Sequence, residues 1–139
     1  MEFVTAIKDP SERAAKVADI INANPTIKTV VAEKNSIGEV YISILKKLLK
    51  KPSILKVFTT TNDSKKKIID GLIAAISQKS ITLLPNEQLQ YELSVYKLEP
   101  LKNGNYTYNG PKDDAIMSTA FALSETGKKG YCFGYVGYN

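Results

Sequence analysis

The stretch VVAEKNSIGEVYISIL, residues 30 to 45, holds the strongest structural signal in this sequence. An apolar run ends at a single acid, Glu33, and a short polar turn with a glycine then leads into an amphipathic helix. A carboxylate at the end of a buried strand has two common explanations. It can serve catalysis, because the strand is rigid and the loop beyond it is open, or it can cap the helix that follows.

The size and composition of the chain predict a single globular domain. Of its 139 residues, 43% are hydrophobic and 24% are charged, which suits a soluble domain with its own core. We place that domain at residues 1–126 and a Gly- and Tyr-rich tail at residues 127–139. No apolar run is long enough to span a bilayer, and we expect no signal peptide before the fold. The single Cys132 fits a reducing compartment.

The ionisable residues restrict the chemistry that the chain can perform. It contains no histidine, so any catalysis must use carboxylates, lysine, tyrosine, serine or a hard cation. The net charge is +5, and between Lys46 and Lys67 eight lysines accompany one acid, Asp63. Such clustering suits a polyanion such as nucleic acid, and a solvated lysine-rich face explains it equally well.

The order of predicted elements indicates an α/β fold with a largely parallel sheet. Start signals and apolar periodicity predict helices at residues 9–25, 38–51, 63–78, 86–99 and 113–126. We expect Asp9 to cap the first helix and Asp63 or Ser64 to cap the third. Apolar and β-branched content predicts strands at residues 2–7, 27–32, 54–60 and 80–85. Residues 102–112, which contain an Asn-Gly pair, are predicted to be a turn-rich loop.

The second candidate site is the stretch GPKDDAIMSTAFAL, residues 110 to 123, in which Asp113 and Asp114 open a helix. Acids at a helix N-terminus are often structural, but one cap needs only one carboxylate. If Glu33 and this pair meet at the C-terminal edge of a parallel sheet, their mutual repulsion favours bound Mg²⁺ or Mn²⁺. Two such ions can promote phosphodiester cleavage without a histidine.

Four motifs, in order, resemble the nuclease domain of phage terminase large subunits, the DNA-packaging motor proteins. The first is an apolar strand ending in Glu-x-Asn-x-x-Gly, and the second is a Ser-Lys pair that opens a helix. The third is a Glu-Leu segment, and the fourth is Gly-x-x-Asp-Asp before a helix of small residues. The matching residues are Glu33, Asn35 and Gly38, then Ser64 and Lys65, then Glu92 and Leu93, then Gly110, Asp113 and Asp114.

The resemblance implies an RNase H-like fold, a mixed sheet flanked by helices, and metal-dependent hydrolysis of phosphodiester bonds in double-stranded DNA. It implies a two-metal site for Mg²⁺ or Mn²⁺ held by Glu33, Asp113 and Asp114, with Asn35 and Gly38 in support. We favour Asp114 as the direct ligand and Asp113 as an outer or second-metal ligand. The expected DNA contacts are Ser64, Lys65, Lys66 and Lys112. Lys112 stands where the family often has histidine.

The partners implied by the resemblance are double-stranded DNA, the small terminase subunit and the portal, in the cytoplasm of the phage's host. Family members carry a first catalytic Asp in a hairpin that precedes the strand matched by residues 2–7, whereas this chain starts at Met1. We therefore expect an N-terminally truncated sheet. We also expect the isolated chain to cleave DNA poorly in Mg²⁺, with Mn²⁺ rescuing a trace of activity.

Two alternatives stay open on the sequence. One is a junction-resolvase-like nuclease of the same superfamily, which would prefer branched DNA to linear DNA. The other is a non-catalytic fragment of a packaging protein that binds DNA or a protein partner.

Overall fold

The computed structural model describes residues 9–34 and 38–126, which divide into two compact units. The first unit contains the described residues up to Thr60, and the second unit begins at Thr61. Helices and two separate two-stranded sheets make the described part a mixed α/β structure, as predicted. The strand predicted at residues 2–7 and the tail at 127–139 lie outside the described residues. None of the described helices has both the length and the apolar composition needed to cross a membrane.

Two helices form the core of the first unit. Helix α1 (Pro10–Ala23) begins after Asp9, whose carboxylate accepts hydrogen bonds from two backbone N–H groups of the first turn, as predicted. Helix α2 (Gly38–Leu48) packs against α1. The helical spacing of their apolar residues places one stripe of each helix toward the other. The shared core consists of Ala14, Val17, Ala18, Ile21, Tyr41, Leu45 and Leu49.

Two short strands belong to the described part of the first unit. Strands β1 (Val30–Lys34) and β2 (Leu55–Thr59) pair in parallel, and the chain between them contains α2 and one 3₁₀ turn. Parallel neighbours need such a crossover, because a tight turn joins only antiparallel strands. Glu33 pairs with Phe58 in this register and is one residue short of the end of β1. The predicted position of this acid near a strand end is confirmed.

The described part of the second unit, residues 61–126, contains three helices and a hairpin. Helix α5 (Asp114–Thr126) packs against α3 (Asn62–Ser77) and α4 (Glu87–Val95). Strands β3 (Lys97–Pro100) and β4 (Tyr106–Asn109) form an antiparallel hairpin. The fully or nearly buried apolar residues of this unit are Ile69, Leu72, Leu89, Ala115, Ile116, Met117, Ala120 and Phe121.

Several local predictions for the second unit are wrong. Residues 80–85 form no strand, and the helix predicted over 86–99 ends at Val95 and is followed by β3. The predicted loop at 102–112 contains β4, whose pairing with β3 is antiparallel rather than parallel. The cap of α3 is Thr61, which forms a reciprocal capping box with Ser64. Thr61 is the cap because Ser64, three residues later, is placed to accept a hydrogen bond from the Thr61 N–H.

Candidate functional site

The two aspartates predicted as metal ligands lie where α5 begins. Asp113 is the N-cap residue, since its carbonyl oxygen accepts a hydrogen bond from the N–H of Met117 at 2.8 Å. Asp114 is the first helical residue, and both aspartates are half-buried. A helix N-terminus favours negative charge, so their position alone agrees with both a capping role and a ligand role.

The carboxylate that caps α5 belongs to Glu92 of α4. Its Oε2 accepts hydrogen bonds from the backbone N–H groups of Ala115 at 2.8 Å and Ile116 at 3.0 Å. Its Oε1 accepts a hydrogen bond from the side-chain amide of Gln88 at 3.0 Å. Glu92 is completely buried, which a carboxylate tolerates when hydrogen bonds replace its water. Glu92 therefore makes the bonds of an ordinary N-cap side chain, and the Asp113 carboxylate does not.

The Asp113 carboxylate instead contacts Lys65 and Tyr96. The Lys65 Nζ donates to Asp113 Oδ2 at 2.6 Å, and the Tyr96 hydroxyl donates to the same oxygen at 3.4 Å. The Lys65 ammonium also lies 5.8 Å from the centroid of the Tyr96 ring. Water has limited access, because the Lys65 and Asp113 side chains are 19% and 30% exposed. We call Lys65, Glu92, Tyr96 and Asp113 the α5 cluster.

A second Tyr–Asp–Lys group adjoins the α5 cluster. The Tyr108 hydroxyl donates to Asp70 Oδ1 at 2.7 Å, and the Lys66 ammonium pairs with Oδ2 of the same aspartate. The bonds from Lys66 and Tyr108 lower the pKa of Asp70, and the bond to Asp70 raises the pKa of Tyr108. The Tyr96 and Tyr108 rings stack with centroids 6.0 Å apart and an interplanar angle of 7°. The stack connects the two groups.

Tyr96 is expected to make the unfolding free energy of the second unit fall as the pH becomes alkaline. Burial, reinforced by the charge of Asp113, raises the pKa of Tyr96 well above the usual phenol value. The unfolded chain loses this proton near pH 10, so the stabilising contribution is complete below about pH 10 and is lost as pH rises toward the folded-state pKa. Urea unfolding of Tyr96→Phe should therefore show a shallower decline in unfolding free energy above about pH 10 than the parent chain shows.

The control for this experiment is Tyr91→Phe, which changes a tyrosine of α4 that is 55% exposed. The unfolding free energy of Tyr91→Phe should fall with pH as steeply as that of the parent chain. Parallel curves for Tyr96→Phe and the parent would contradict the burial and charge effects assigned to Tyr96.

The remaining predicted site residues lie at several places. In the first unit, Glu33 is half-buried in β1 and Gly38 is buried at the start of α2, while Asn35 lies outside the described residues. In the second unit, the Ser64 hydroxyl belongs to the capping box of α3, and Lys112 is exposed just before the aspartate pair. The expected DNA contacts Lys65 and Lys66 both take part in ion pairs. Their role toward DNA stays a prediction.

The donor chemistry at the start of α5 fits a hard divalent cation. Asp113 and Asp114 offer adjacent carboxylates, which are ligands that Mg²⁺ and Mn²⁺ accept. The Asp113 carboxylate already pairs with one cation, the ammonium group of Lys65. Within residues 9–34 and 38–126, no three Cys, Asp or Glu side chains gather into a metal-binding group. The aspartate pair therefore offers ligands for an ion but does not by itself provide the complete set of a two-ion centre.

The sequence placed Glu92 in a family motif but did not predict its capping role, and it indicated no role for Tyr96 or Asp70. A signal was present for Glu92, because Leu89 and Glu92 are three residues apart and both lie on the buried face of α4. A carboxylate on an apolar helical stripe indicates a buried acid with dedicated hydrogen-bond donors.

Comparisons with protein-family models, curated proteins and solved structures find no match to this chain.

Proposed function

We propose that this chain is the RNase H-like nuclease domain of a phage DNA-packaging terminase. The proposed reaction is divalent-metal-dependent hydrolysis of phosphodiester bonds in double-stranded DNA. The proposal rests on four sequence motifs in the order found in that family. Action in the host cytoplasm with a small terminase subunit and a portal belongs to the same proposal.

The observation that carries the proposal is the capping of α5 by Glu92. The principal objection to a catalytic role for the aspartate pair is that acids at a helix start usually cap the helix. Here the Ala115 and Ile116 N–H groups bond to Glu92, so the Asp113 carboxylate is left for another partner. The contact between Lys65 and Asp113, together with the Glu92 cap, also brings three of the four motifs to one helix start.

In the proposed reaction, a water oxygen forms a bond to phosphorus and the ester P–O bond breaks, so the leaving oxygen takes up a proton. Divalent ions, when bound, activate the water and offset the negative charge that develops on the phosphate. Asp113, Asp114 and Glu33 are the proposed ligands. The Lys65 ammonium contacts the Asp113 carboxylate at 2.6 Å, which holds this side chain in place and sets a positive charge beside it. Glu92 fixes the backbone from which both aspartates project.

The test is Mn²⁺ binding measured by calorimetry on the parent chain, Asp114→Asn and Glu33→Gln. Each substitution removes a carboxylate charge with little change in shape, so each should weaken Mn²⁺ binding by about tenfold or more. Asp19→Asn is the matched control, because Asp19 is an exposed acid in α1 and should bind no metal. Equal Mn²⁺ affinity in all four proteins would refute the proposal. Nicking of supercoiled plasmid in Mn²⁺, measured in parallel, should disappear in Asp114→Asn.

A second candidate function is non-catalytic binding of DNA within a packaging protein. The ion pair between Lys65 and Asp113 favours it, because a lysine ammonium competes with a divalent ion for the same carboxylate oxygen. This candidate predicts duplex DNA binding in chelator, and Mn²⁺ affinity that Asp114→Asn leaves unchanged.

A further inference from the structure

The first unit contains a long acid-free segment. No acid occurs between Glu39 and Asp63, and this interval contains five lysines. Four of them are exposed at the end of α2 and just after it, and we call Lys46, Lys47, Lys50 and Lys51 the lysine patch. None of these four ammonium groups pairs with an acid among the described residues, unlike Lys34, Lys65 and Lys66.

Helix stability accounts for only part of the lysine patch. Lys46 and Lys47 lie in the last turn of α2, where the exposed carbonyl groups favour cations. Lys50 and Lys51 come after the helix and add like charge beside the first two, which costs stability through repulsion. The folded chain therefore keeps a concentration of positive charge that its own packing does not require.

The backbone that carries the lysine patch is held by hydrogen bonds to the side chain of Asn22. Asn22 of α1 donates from Nδ2 to the Leu48 carbonyl oxygen at 3.0 Å and accepts at Oδ1 from the Lys50 N–H at 2.8 Å. Burial of Tyr41 and Leu45 against α1 holds the helix itself. A charged surface on a fixed backbone loses less conformational freedom when it binds a ligand.

We propose that the lysine patch binds the phosphate backbone of duplex DNA, separately from Lys65 and Lys66. The choice of DNA as the polyanion rests on the proposed function. Lysines act as point charges toward phosphates, and such contacts position a duplex without reading its sequence. A membrane surface is a poorer match, because the apolar stripe of α2 that contains Tyr41 and Leu45 is buried against α1. Val40 and Leu48 are the large apolar side chains of α2 that stay exposed, which is little apolar surface for insertion into a bilayer.

The test compares two fourfold variants with the same net charge. In the patch variant, Lys46, Lys47, Lys50 and Lys51 become glutamine. In the control variant, four exposed lysines of the second unit become glutamine, namely Lys67, Lys79, Lys97 and Lys102. Fluorescence anisotropy follows binding of a labelled duplex of about 25 base pairs in chelator across a salt series. Thermal melts monitor folding, which neither set of exposed substitutions should disturb.

The patch variant should lose about tenfold or more in affinity near 0.1 M salt. The slope of log affinity against log salt should become shallower by about 3 to 4, since each lost phosphate contact removes about 0.9. The control variant should keep the slope of the parent chain. Equal losses in both variants, unchanged binding in the patch variant, or no duplex binding by the parent chain would each overturn the proposal.

Two further measurements separate this proposal from others. The patch variant should bind Mn²⁺ as the parent does, so a failed DNA result leaves the Mn²⁺ test of the nuclease proposal intact. Patch-dependent binding to phosphatidylserine vesicles that exceeds binding to the duplex would overturn the choice of DNA.

Discussion

Replacing Glu92 with alanine is expected to lower the unfolding free energy of the second unit by about 3 kcal/mol, because buried N–H groups lose a charged acceptor. The Ala115 and Ile116 N–H groups would lose their bonds to Glu92, and the Gln88 amide would lose its acceptor. The complete burial of Glu92 makes replacement of these bonds by water difficult. The substitution should also disorder the start of α5, from which Asp113 and Asp114 project.

Urea unfolding followed by circular dichroism and tyrosine fluorescence measures this loss, since the chain has no tryptophan. Glu87→Ala is the matched control, because Glu87 is an exposed acid in the first turn of the same helix. Its cost should stay below about 1 kcal/mol. Glu92→Gln keeps an acceptor oxygen and should fall between the two. A Glu92→Ala cost no greater than that of Glu87→Ala would contradict the capping role.

Gly110→Ala is expected to destabilise the second unit by about 2 kcal/mol through overpacking. A Cβ at Gly110 would lie 2.9 Å from Cδ2 of the Tyr96 ring and 3.4 Å from the carbonyl oxygen of Lys112. The Tyr96 ring is stacked on Tyr108 and its hydroxyl contacts Asp113, so it can yield only by giving up these contacts. The variant should therefore also move Tyr96 toward the behaviour of an exposed tyrosine in alkaline titration.

Gly71→Ala provides a control with the opposite sign. Gly71 is exposed in α3 and a Cβ there would meet no heavy atom within 4 Å. Alanine favours helix over glycine, so this variant should gain about 0.5 to 1 kcal/mol in urea unfolding. If Gly110→Ala left the unfolding free energy unchanged while Gly71→Ala raised it, the Tyr96 ring would be able to shift at no energetic cost, which would contradict the overpacking prediction.

The helices were predictable because their signals are local. Asp9 caps α1 as expected, and the apolar spacing of α2 and α3 gave their positions to within a few residues. The hairpin was missed although Asn103-Gly104 is a strong turn signal, because the flanking residues are mostly polar and exposed. Gly104 adopts a φ of 81°, which glycine accepts readily.

The errors around α4 come from tertiary effects that a local pattern does not contain. Residues 80–85 have strand-like composition but no partner strand among those described, and a strand is stable only when paired. The helix predicted to residue 99 ends before Tyr96, whose ring stacks on Tyr108 of the hairpin. The aspartate pair at the start of α5 could be singled out as a candidate site because both acids are adjacent in sequence. The Glu92 cap was not, because it joins residues 23 and 24 positions apart.

The lysine of the α5 cluster has a consequence for the order of events in a cell. Lys65 acts as a built-in counter-ion for Asp113, and Glu92 organises the helix start from the interior. The acidic residues can therefore reach their final positions during synthesis without waiting for an external cation. Folding of the second unit and binding of any ion would then be separate steps. Under the proposed function, a shortage of divalent ions would delay activity without leaving the chain unfolded.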